Sequence, residues 1–70
     1  MNRIRVSSST IHSVGYEPTT QLLEVAFHTG WIYEYYGVPS NVHHSLMNAS
    51  SKGIYHKENI KFTYQYKRIH

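Results

Sequence analysis

The chain reads as a small α+β domain, an antiparallel sheet of three strands, with a fourth available from the tail, packed against one or two short helices. Three observations predict this. Residues 21–36 alternate apolar and polar on either side of Thr29-Gly30, the pattern of a half-buried hairpin. Residues 39–49 switch to a helical period after Gly37-Val38-Pro39. Seventy residues allow one domain and no more, so these elements must share one core.

Taken in order, Met1 to Ser9 reads as an extended arm anchored by Val6, with Ser7-Ser8-Ser9 turn-prone. Thr10 to Tyr16 reads as a short strand in which Gly15 marks a bulge or a close backbone approach. Glu17-Pro18-Thr19-Thr20 is a turn, because proline pre-sets φ at its second position. Gln21 to His28 is a clearer strand, with Leu23, Val25 and Phe27 on one face. Across the Gly30 turn, Trp31, Tyr33 and Tyr35 fall on one face of the returning strand. Pro39 suits the first turn of a helix. From there Val42, Leu46 and Ala49 form a stripe that Val38 introduces and Met47 widens. Ser50 or Ser51 caps a second helix over Lys52 to Asn59, which Gly53 weakens. Ile60 to Lys67 alternates again, as a fourth strand or an aromatic tail laid across the sheet.

Composition narrows the function. No cysteine is present, so neither a disulfide nor a thiolate metal site is expected, which suits a reducing cytoplasm. The basic N-terminus is followed by no apolar run, and no stretch approaches a membrane span. The six histidines include an adjacent pair, His43-His44, but no i, i+4 pair and no zinc spacing. No nucleophile elbow or phosphate loop appears, so no catalytic residue, metal or cofactor is assigned. A binding module is the expectation, with RNA cleavage by histidine and lysine as a distant third reading.

Charge points to an anion. The net charge is +3, and all seven basic residues lie near the ends: Arg3, Arg5, Lys52, Lys57, Lys61, Lys67 and Arg68. The expectation is that both ends gather into one continuous cationic face. Lys52, Lys57, Lys61, Arg3 and Arg5 are the candidate phosphate contacts, and the hydroxyl-rich start of the second helix adds backbone N–H groups. Tyr33 and Tyr35 are candidate base-stacking rings, to be weighed against a plain core role under the helix. An aromatic surface for a protein partner, including Tyr36, Tyr64 and Tyr66, is the alternative.

Several segments carry a family resemblance. They are Val6-Ser7-Ser8-Ser9 with Ile11, Gly15-Tyr16, the Leu23-Val25-Phe27 strand, Gly30 and the Tyr33-Glu34-Tyr35 motif. Val38-Pro39, Leu46, Ala49, Ser51-Lys52-Gly53 with Tyr55, and Ile60-Lys61 with Tyr64 continue it. In this order and spacing the chain resembles the KTSC domain, named for its place at the C-terminus of some lysyl-tRNA synthetases. The resemblance covers about residues 6–64 and leaves 65–70 as a basic, aromatic extension. It implies an association with RNA and carries over no catalytic residue. Ile54 stands where a basic residue is common in similar sequences, which removes one phosphate contact; Lys67-Arg68 restore part of that charge.

Overall fold

The computed structural model describes residues 1–70. Its sheet is fully antiparallel, in the order β1-β2-β3-β4-β5. The strands are β1 Ile4–Arg5, β2 Ile11–Glu17, β3 Leu22–Phe27, β4 Ile32–Tyr35 and β5 Tyr66–Arg68. Two helices, α1 Ser40–Asn48 and α2 Lys52–Asn59, lie in sequence between β4 and β5. Each strand pairs with its neighbour in sequence, so every connection within the sheet is local except the helical excursion.

Register explains which side chains meet the helices. Val14 pairs with Val25 and Tyr16 with Leu23; Val25 then pairs with Tyr33 and Leu23 with Tyr35. Directly opposed residues share a face of the sheet. One face therefore collects Val14, Leu23, Val25 and Tyr35, and the helices cover it with Leu46, His56 and Ile60. Val38 seals the entry to α1; its N–H donates to Gln21 O, and its carbonyl accepts from the Tyr16 hydroxyl at 2.6 Å. The opposite face carries Gly15, Glu24 and Glu34 in one row and Ser13, Ala26 and Ile32 in the next.

The sequence expectation of three or four strands is corrected to five. The N-terminal arm pairs as β1, Ile4 with Val14 and Arg5 with Ser13, contacts ten and eight residues apart in the chain that no local pattern announces. At the other end, the alternating stretch from Ile60 does not start a strand. Ile60 is buried as the exit of α2 and donates its N–H to His56 O, and Thr63 and Tyr64 fold back onto Ile60 O. Only Tyr66–Arg68 reach β4. The irregularity in β2 falls between Ile11 and Ser13, and Gly15 is instead the close backbone approach of the two readings offered: a Cβ there would stand 2.9 Å from Asn2 O on the N-terminal arm. The hairpin turn is as expected, with Gly30 at φ +97, a left-handed value that favours glycine.

Candidate nucleic-acid interface

A large recess crosses the helix-bearing face of the sheet. Its floor is made by Phe27 on β3, Tyr33 and Tyr35 on β4 and Tyr66 on β5. One wall is α2 with Ser50–Ser51 before it and Lys61 after it; the other end is closed by Ser7–Thr10 and His28. The recess measures about 1110 Å³. It is broadly open to solvent, which leaves room for an extended ligand.

Local chemistry fixes these walls. The Ser8 hydroxyl accepts from the N–H groups of Thr10 and Ile11, both at 3.1 Å, and so turns the chain into β2. His28 Nε2 lies 2.8 Å from Ser8 O and ties that turn to the hairpin. Ser51 caps α2 by accepting from Ile54 N–H. Gly53 lets the first turn of α2 approach this loop: a Cβ there would stand 3.0 Å from the Thr10 hydroxyl.

Lys52, Lys57 and Lys61 all border the recess, together with His28 and His56, and no Asp or Glu does. Lys52 is partly engaged, its ammonium donating to Ala49 O at 3.1 Å. Lys61 lies over the Phe62 ring at 5.3 Å. The three lysines expected to share a strip are therefore brought together.

Arg3 and Arg5 are not. Arg5 pairs in register with Ser13, on the face opposite the helices. Arg3 forms an ion pair on that same face with Glu24, which is 7% exposed. Lys67 also lies there, opposite Glu34 in register. The expectation of one continuous cationic face is thus corrected: strand alternation sends Arg3, Arg5 and Lys67 to the carboxylate-bearing side.

The two tyrosines also separate. Tyr35 is 2% exposed, and its hydroxyl is hydrogen-bonded to His56 Nε2 at 2.7 Å. It belongs to the core, so it supports the floor without contacting a ligand. Burial, with Tyr33 and Tyr66 nearby, pushes its pKa well above the usual phenol value. Burial and then the charge of Lys61 push His56 down to about 4, so the imidazole is neutral at pH 7. Tyr33 is half-buried, edge-on to Phe27 and stacked on Tyr35.

Three recess residues were not among the nucleic-acid contacts expected from the sequence. Trp31 and Tyr66 supply the exposed rings that Tyr35 does not. His56 is the buried polar group beneath them. Its signal was present: Gly53, His56 and Ile60 recur at i, i+3 and i+7 along one helix face.

An antiparallel sheet with two helices on one face and a carboxylate-free basic recess beside them defines a small α+β domain built around a surface groove. The KTSC domain matches residues 7–64, and the chain belongs to that family. It is 40% identical over 70 residues to a protein of Stutzerimonas stutzeri, covering 99% of each. It is 42% identical over 66 residues to the lysine–tRNA ligase of a Nostoc species, covering 94% of this chain and 12% of the ligase. The chain therefore corresponds to a small part of such ligases. The crystal structure of a KTSC domain protein from Yersinia pestis superposes with a TM-score of 0.92 at 40% identity, covering 99% of this chain and 97% of that one. The domain occurs both inside lysine–tRNA ligases and as a chain of this size.

No group of three or more His, Cys, Asp or Glu side chains is placed to hold a metal ion. No helix is long and apolar enough to cross a membrane.

Proposed function

We propose that the groove is an RNA-binding site in which Lys52, Lys57 and Lys61 contact phosphate. The observation that carries this is the charge of its lining, three lysines and no carboxylate. A groove of one charge sign attracts its counter-ion from solution and holds it without local repulsion. That the same domain lies within lysine–tRNA ligases supports RNA over other polyanions. The reading carries a cytoplasmic location with it, where such RNA is found.

Binding without turnover fits the one titratable pair on the floor. His56 is held neutral, Tyr35 is held protonated, and each is satisfied by the other. A general acid or base works best with a pKa near the operating pH, and neither group has one. A protein partner is the second reading, favoured by the side chain of Phe62, which is 84% exposed.

Titration of a labelled single-stranded RNA at increasing salt tests the proposal. Three phosphate contacts give a slope of log affinity against log salt of about −2. No measurable binding at low salt contradicts it.

A further inference from the structure

We infer that the β4–β5 end of the groove is a base-stacking platform built on Trp31, so that the RNA it takes is single-stranded, with bases free to leave the helix. The inference rests on the RNA reading above and names the ligand more closely.

Strand alternation sets the platform. Trp31 continues the Tyr33–Tyr35 row onto the groove face, and Tyr66 joins it from β5, opposite Tyr35 in register. Tyr35 is sealed, but Trp31 is 51% exposed and Tyr66 58% exposed. Packing alone does not account for this. A chain of this size is short of core, and its single tryptophan is the largest apolar group it could bury.

The rings are also held in place. The Arg68 guanidinium lies over Trp31, 4.7 Å from the ring centroid. Arg68 pairs with Tyr33 in register and so stands on the platform's own face of the sheet; its guanidinium takes one side of the indole, and the ring still remains half-exposed. Tyr33 braces both exposed rings, its centroid 6.3 Å from Trp31 and 5.7 Å from Tyr66. Half-exposed rings fixed in advance suit a flat, uncharged partner.

Position then selects the strand type. The lysines stand on α2 and the turn after it, and the aromatic platform lies on the sheet floor. A ligand touching both presents phosphate on one side and a π-face on the other. An RNA duplex keeps its bases paired and stacked inside the helix, with phosphates outermost, so only unpaired bases reach such a floor.

Four probes separate the outcomes: a single-stranded RNA of about ten nucleotides, an abasic single strand with the same phosphates, an RNA duplex of the same length, and polyglutamate. Anisotropy of the labelled strands gives affinity. Fluorescence of Trp31, the sole tryptophan, reports stacking directly. The expected results are quenching by the base-bearing strand only and an affinity about tenfold or more above the abasic strand. Trp31→Ala removes that advantage and leaves the salt slope unchanged; Trp31→Phe keeps part of it and controls for folding. Equal affinity for abasic and base-bearing strands overturns the platform while leaving the lysine reading intact, as does preference for the duplex. Equal affinity for polyglutamate shows a general polyanion site and overturns the platform. Absence of binding to every probe at low salt overturns both.

Discussion

Beside the groove, Lys52, Lys57 and Lys61 stand with no carboxylate among the residues around them. On the opposite face Arg3 is paired with Glu24, and Lys67 stands across from Glu34. Both faces carry several positive side chains, yet only the groove gathers three of them with no carboxylate around it. A formal charge of +3 is therefore a weak guide by itself; the period of two along β1, β3 and β5 decides which cations share a face with carboxylates.

The two faces also differ in what they contribute to stability. Leu46, fully buried on the groove side, packs into the core cluster with Leu23 and Val25. Leu46→Ala is expected to cost about 2–5 kcal/mol, seen as a fall in the urea midpoint. Ile32→Ala, half-buried on the opposite face, is expected to cost under about 1.5 kcal/mol. Equal losses would erase the distinction between a packed face and a lightly covered one.

The pH dependence sharpens the same contrast, since His56 lies only on the groove side. Its pKa is about 4 in the folded chain against an ordinary 6.5. As pH falls through about 6.5 the unfolded chain takes up the proton first, so stability drops between about pH 6.5 and 4 and levels below that. The contribution is fully present above 6.5 and amounts to at most about 3 kcal/mol. His43, also lowered by burial, acts in the same direction. Urea midpoints at pH 7 and pH 4.5 check this. His56→Gln should remove most of the difference.

The smallest expected effect lies on the opposite face. Arg3→Ala leaves the Glu24 carboxylate without its partner; because the arginine side chain is itself a third exposed, the cost is about 1 kcal/mol. RNA affinity of Arg3→Ala, measured where the protein remains folded, should match the parent.

Much of this architecture was readable before any coordinates. The β3–β4 hairpin, α1 and the bounds of α2 follow from local period and turn chemistry, which act over a few residues. What was not legible depends on distant pairing. Ile4–Arg5 is too short to show alternation and exists only against β2. Ile60 to Tyr64 shows alternation without a partner and becomes a turn. At the site, the lysine strip was visible because α2 and its exit place it locally. The fate of Arg3 and Arg5 was hidden because a sequence does not say which face of the sheet carries Glu24. Tyr35 was ambiguous for a related reason: its burial depends on His56, 21 residues away.

The most direct test compares the two sets of cations in one assay. The salt dependence of single-stranded RNA affinity would be measured for the parent, for Lys52→Gln with Lys57→Gln and Lys61→Gln, and for Arg3→Gln with Arg5→Gln, each confirmed folded. The expected slope is about −2 for the parent, near zero for the lysine variant and unchanged for the arginine variant. A flattened slope in the arginine variant, with the lysine variant unaffected, would contradict the groove as the binding site.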